Sequence, residues 1–209
     1  MVNDLWADYK SAVFDTFPDL EFKEQHAHWI NDRDVNLTAD LYTGQHIIKS
    51  RHVNIWDDKL NIHNNVIYPK TGANIPCFGM DLMGFFEKKV IIVFDFQHPV
   101  EKFLLKVPGL PKAEGTYRFF EPGNHFSENI YVRYCEMSEV NEHLPMFKKY
   151  LSLYKEMIDE DKPTGMDTHL YNDFDRYMIR LDPISGYLSS AFGKEESETL
   201  IKEFFFSYA

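Results

Sequence analysis

The chain has 209 residues, of which 22 are basic and 33 acidic, for a formal net charge of −11. That balance argues against nucleic acid and anionic membrane surfaces as partners, since both are gripped by clustered Lys and Arg. An apolar share of 44% at this length predicts a sizeable core in one domain spanning 1–209 rather than disorder.

In chain order, Leu5, Tyr9, Ala12, Val13 and Phe17 recur at helical spacing and Pro18 stops the run, which predicts a first helix. Residues 21 to 33 are rich in charge and aromatics and show no period. From Val35 the period becomes two: Leu37, Ala39 and Leu41 alternate with polar residues and Thr43-Gly44 supplies a turn. Ile47 to Trp56, Ile62 to Tyr68, Phe78 to Met83, Lys89 to Gln97 and Ile130 to Cys135 read as further strands, about six in all. The nearly continuous apolar run in Lys89 to Gln97 predicts a central strand buried on both faces. Short connections favour antiparallel pairing. After residue 138 the pattern is helical: Leu144, Phe147, Leu151, Tyr154 and Met157 share a face, and Tyr171 to Leu181 and Glu195 to Phe206 follow. A helix, a run of strands and then helices predicts an α+β fold.

Aromatic residues make up 16% of the chain, an excess that either thickens the core or walls a pocket for a flat apolar ligand. Cys77 and Cys135 lie far apart with no zinc-site spacing, which suggests a reducing compartment. The N-terminus has no signal-peptide pattern, and the longest apolar run, Val90 to Phe94, is too short to span a bilayer. A cytoplasmic protein without metal or membrane partner is expected.

Chemistry-bearing candidates are few. Asp81 alternates with Phe78, Met80 and Leu82 in a strand apolar on both faces, a setting that raises a carboxyl pKa and makes a proton donor; a structural Asp satisfied by a neighbour is the other reading. Asp95 ends a strand just before a turn whose backbone it can bond. Asp182 precedes Pro183, an ordinary turn starter. Asn64 and Asn65 interrupt a strand, where Asn is depleted, so one of them makes a buried hydrogen bond to protein or ligand. The histidines show no metal spacing, and there is no phosphate-binding glycine loop or GxSxG elbow.

Five segments together, PCFGMDLMG (76–84), VIIVFDFQHP (90–99), YRFFEPGNHFSENIYVRYC (117–135), LDPISGY (181–187) and the terminal FFFSYA, resemble the ferredoxin-dependent bilin reductases, and most nearly their phage-type phycoerythrobilin synthase branch. The resemblance implies a monomeric three-layer α/β/α sandwich whose central, mostly antiparallel sheet and C-terminal helices hold biliverdin IXα in a cyclic, porphyrin-like shape. It implies no tightly bound cofactor: reduced [2Fe-2S] ferredoxin supplies electrons singly, the bilin passes through radical states, and the protein delivers protons. Asp81 resembles the central-strand proton donor of the family's FG-x-D motif, and Asp182 the LDP aspartate that serves the second reduction in the four-electron enzymes. Asn64 falls where the phycocyanobilin-forming branch has a catalytic His, a departure that fits phycoerythrobilin formation through 15,16-dihydrobiliverdin. Arg118 lies near a family arginine that pairs with a propionate; Lys49, Arg51 and Arg176 are the other basic side chains considered for that grip.

An acidic ferredoxin needs a local basic patch on this acidic chain, for which Lys88, Lys89, Lys102, Lys106 and Lys112 are candidates. A lyase or phycobiliprotein would accept the product, in the cytoplasm of a host cell if the chain is phage-encoded. The alternatives are a phycocyanobilin-forming relative, an enzyme that stops at 15,16-dihydrobiliverdin, and a bilin carrier without turnover. Two acids near the macrocycle argue against a carrier.

Overall fold

Period-two alternation folds into strands wherever it occurs, and seven of them build one sheet. A computed structural model describes residues 4–86, 89–114, 120–162 and 165–208. The strands are β1 (Glu21–Ile30), β2 (Asn36–Thr43), β3 (Ile47–Trp56), β4 (Leu60–Pro69), β5 (Cys77–Phe85), β6 (Lys89–Gln97) and β7 (Tyr131–Cys135). Each pairs antiparallel with the next in the order β1-β2-β3-β4-β5-β6-β7. The strand additional to the expected six is β1. Only Ala27 of its ten residues is buried, and its pairing with β2 slips at two places. Edge position removes the need for an apolar face, and with it the alternation that would betray a strand.

Helices cover both faces, giving the expected three-layer α/β/α arrangement. On one face lie α1 (Ala7–Thr16) and α2 (Leu144–Glu160). Pro145 occupies the first turn of α2, where its missing N–H is harmless, and Phe147, Tyr150, Leu151, Tyr154 and Ile158 form its buried stripe. This stripe and Tyr9 pack on Phe78, Met80 and Leu82 of β5 and on Val90, Ile92, Phe94 and Phe96 of β6. The buried aromatics are shared almost evenly between the two faces; on this one Phe94 stacks on Tyr131 at 4.5 Å and Phe96 on Tyr150 at 5.4 Å. Each such side chain contributes about 1.5–3 kcal/mol by burial.

The opposite face is covered by α3 (Asn172–Leu181), α4 (Ile184–Phe192), α5 (Lys194–Leu200) and a π turn at Ile201–Phe205. Residues 195 to 206 were expected to form one regular helix; its last turn is instead the wider π form. Helix α4 was not anticipated, because ISGYLSSAF combines an Asp-Pro start with a glycine. Among the described residues no helix is long and apolar enough to cross a membrane.

Candidate active site

The two faces of the central strands differ sharply. Facing α1 and α2, Phe78, Met80, Leu82, Val90, Ile92 and Phe94 are all sealed, at 0–2% exposure. Facing α3 to α5, the intervening residues Ile62 and Asn64 on β4, Asp81 and Met83 on β5, and Ile91 and Val93 on β6 are only half-buried. The second helical layer therefore leaves an aliphatic floor only partly covered in the middle of the sheet, with one carboxyl and one amide set into it.

Strand register explains how these polar groups meet. Asp81 is directly opposite Asn64 on β4 and Val93 on β6, and Asn64 is opposite Val53 on β3. Arg51, two residues before Val53, reaches diagonally so that its Nη1 donates to Asn64 Oδ1 at 2.5 Å. The Asn64 side chain stands directly across from Asp81 in the β4–β5 register, close enough to favour its charged form. Gly79 beside them leaves room for the Gln97 side-chain amide, which would lie 2.5 Å from a Cβ there and have to shift.

Arg51 is 1% exposed, and its guanidinium lies over the rings of Phe205 and Phe206 at 4.8 and 5.4 Å. Asp182 enters from the junction of α3 and α4, where its Oδ1 accepts the Ile184 N–H at 2.9 Å. It is thus the turn starter that its Asp-Pro context suggested, and it also lies within electrostatic reach of Asp81 and Arg51.

These surroundings set the proton affinities. Loss of hydration, reinforced by the Asp182 charge, pushes Asp81 up to about 7, against the opposing pull of the Asn64 amide and the Arg51 cation. Asp81 keeps part of its surface towards the hollow although protein crowds it from every other side, so burial remains the leading cause. Burial also raises Asp182, while the Ile184 N–H and Arg51 oppose the rise. A carboxyl that holds a proton near neutral pH over an apolar floor can act as a general acid towards whatever rests on that floor.

A second polar cluster lies behind the C-terminus. Asp175 accepts Tyr68 Oη at 2.8 Å and the Tyr208 N–H at 3.0 Å, and burial raises it to about 6. Lys49 donates to Ser207 O at 2.7 Å and lies over Phe204 at 5.1 Å; burial lowers it to about 7. Lys49 and Arg51 are therefore engaged within the protein rather than free at a rim, and Arg176 is paired with Asp173. Arg118 and Lys88 lie outside the described residues. Lys89, Lys102, Lys106 and Lys112 are exposed.

Asp95 is structural, but its partner is not the adjacent turn: its carboxylate accepts Ser127 Oγ at 2.5 Å and the Ser127 N–H at 2.8 Å, 32 residues away. Sequence reasoning placed Asp81, Asn64 and Asp182 but missed Arg51 as their hub. The signal was present, since Arg51 alternates in phase with Val53 and Ile55 and so had to point inward. A groove of about 340 Å³ elsewhere, lined by Arg33, Lys59, Leu60, Tyr187 and Ser190 among others, has charged walls but none of the buried network that converges on Asp81. Among the described residues no group of three or more His, Cys, Asp or Glu is placed to hold a metal ion.

Comparison with known proteins agrees with this architecture. Residues 18–207 match the model of the ferredoxin-dependent bilin reductase family. The chain is 28% identical to a 15,16-dihydrobiliverdin:ferredoxin oxidoreductase of Nostoc punctiforme, over 92% of this chain and 86% of the relative. It is 31% identical to a phycoerythrobilin:ferredoxin oxidoreductase of Prochlorococcus marinus (strain MIT 9215), over 84% and 79%. Its fold is similar to that of tomato phytochromobilin synthase solved with biliverdin, with a TM-score of 0.68 at 16% identity, covering 95% of this chain and 81% of that one. A meander sheet between two helical layers, a partly covered floor on one face and a match over nearly the whole chain lead to one conclusion: the chain belongs to the ferredoxin-dependent bilin reductase family.

Proposed function

We propose that the chain reduces biliverdin IXα to phycoerythrobilin by way of 15,16-dihydrobiliverdin. Each of the two stages takes two electrons from two reduced ferredoxins together with two protons. The observation that carries the reading is the half-buried aliphatic floor of Ile62, Met83, Ile91 and Val93 with Asp81 set into it. A flat tetrapyrrole laid on this floor gains apolar burial and meets an acid that is about half protonated at pH 7.

In this reading Asp81 protonates the bilin before or with the first electron, and Asp182 serves the second reduction from the α3–α4 side. Asn64 contacts the bilin beside Asp81, and Arg118 pairs with a propionate. Three things favour four electrons over two: both aspartates are present, the chain is similar to relatives named for 15,16-dihydrobiliverdin and for phycoerythrobilin, and its motifs resemble the phage-type branch. Asn64 in place of a catalytic His disfavours phycocyanobilin. A second reading, an enzyme that stops at 15,16-dihydrobiliverdin, draws on the similarity to the Nostoc relative.

Chromatographic identification of the product after incubation with biliverdin and a reduced ferredoxin system tests both. Phycoerythrobilin supports the proposal, 15,16-dihydrobiliverdin alone supports the second reading, and unreduced biliverdin in a stable complex would leave only a carrier.

A further inference from the structure

Among the described residues no carboxylate is bonded to the buried Arg51 cation. It spends one N–H on Asn64 Oδ1 at 2.5 Å, and its Nε finds no acceptor among the described residues. What holds it is the pair of rings beneath it: the π turn widens the end of the chain's last helix, and the consecutive Phe205 and Phe206 both come within cation–π range, at 4.8 and 5.4 Å. Substrate propionates would find such a guanidinium buried and already engaged.

The direction of the hydrogen bonds gives the arrangement its consequence. A guanidinium can only donate, so the Asn64 atom facing Arg51 must be the amide oxygen. The other end of that amide, the NH2 group, can also only donate. With its oxygen turned to Arg51, Asn64 presents its NH2 group to Asp81 across the β4–β5 register, so in this orientation Asp81 accepts from Asn64. When Asp81 is protonated, an amide held in this orientation turns no acceptor towards its O–H, which can then be given to a ligand on the floor. The charged and polar groups facing Asp81 are Arg51 from β3, Asn64 from β4 and Asp182 from the α3–α4 junction, while β6 presents Val93. Around Arg51 itself stand Tyr68, Asp175, Asp182 and Asp81, with Lys49, His52 and His63 close enough to feel its charge.

We propose that Arg51, clamped between the sheet and the Phe205–Phe206 pair, is the positioning residue of the proton-donor site: it fixes the sense of the Asn64 amide and thereby directs the Asp81 proton towards the substrate. The inference rests on the proposed role of Asp81, but its test needs no turnover. The carboxyl carbon signal of Asp81, assigned by its loss in Asp81→Asn, is followed by NMR against pH in the substrate-free protein. In Arg51→Met the cation is lost and the Asn64 amide becomes free to turn its oxygen to the protonated acid; both changes favour the neutral carboxyl, so the midpoint rises by roughly one pH unit or more.

Because part of that effect passes through Asn64, Arg51→Met adds a smaller shift in an Asn64→Leu background than in the wild type. An unchanged midpoint in Arg51→Met, or equal shifts in the two backgrounds, overturns the inference. Should Arg51→Met fail to fold, a neutron structure of the wild type decides: a deuteron of Asn64 Nδ2 directed at Asp81 upholds the assignment, and Asn64 Oδ1 facing Asp81 overturns it. Failure of biliverdin reduction with the titration as expected would refute the proposed function and leave this positioning intact.

Discussion

The steepest consequence of the site is a pH limb. An ordinary aspartate with a pKa of 3.8 is protonated in only about one molecule in 1,600 at pH 7, whereas Asp81, raised to about 7, is protonated in about half. Its protonated fraction then falls from about one half at pH 7 to about one eleventh at pH 8, and tenfold per pH unit beyond. If Asp81 delivers the first proton, single-turnover reduction of bound biliverdin, started with saturating reduced ferredoxin, slows roughly fivefold between pH 7 and 8. Saturation keeps ferredoxin docking out of the measurement. Asp81→Asn loses this limb and slows the step by about 10²–10⁴-fold. Lys49 also titrates near 7, but it sits behind the C-terminus, so Lys49→Met keeps the limb. A wild-type rate that is flat from pH 6 to 9, or an Asp81→Asn variant with the wild-type profile, would refute the reasoning.

Other outcomes follow from the same structure. Asp182→Asn keeps an oxygen for the Ile184 N–H but has no proton to give, so 15,16-dihydrobiliverdin accumulates; chromatography showing the wild-type product instead removes Asp182 from the second step. Asp95→Ala strands the Ser127 hydroxyl and N–H in the core and costs about 2–5 kcal/mol by urea unfolding. Burial raises Asp95 itself to about 7, so its neutral form stabilises the fold below pH 4. That contribution, on the order of 4 kcal/mol, is lost as pH rises to 7, and Asp95→Asn flattens the decline. Phe147→Ala opens a cavity beside Tyr9, Phe78 and Phe94 and costs about 3–5 kcal/mol. Because it lies on the sealed face of the sheet, it leaves the Asp81 titration unmoved.

Legibility in the sequence tracked how local each cause was. Strands β2 to β7 could be read because each has an apolar face of its own; the apolar faces of β6 marked it as an interior strand, although it lies next to the β7 edge and the centre of the sheet is β4. Strand β1 is held by backbone pairing at an edge and carries no such imprint. The setting of Asp81 was legible from its neighbours in β5, and its pairing with Asn64 follows from hairpin register. The inward direction of Arg51 was legible from its phase with Val53 and Ile55, but its partners were not, because the rings that hold it come from the opposite end of the chain. The partly covered floor was hidden for a related reason: Ile62, Met83, Ile91 and Val93 look like ordinary core residues until the second helical layer is seen to cover them only in part.

The most direct test of the account is a structure of the chain with biliverdin bound. The account predicts the tetrapyrrole flat against Ile62, Met83, Ile91 and Val93, with an Asp81 oxygen about 2.6–3.2 Å from a polar atom of the bilin. Biliverdin seated in the groove of Arg33, Lys59 and Tyr187, with Asp81 out of contact, would contradict it.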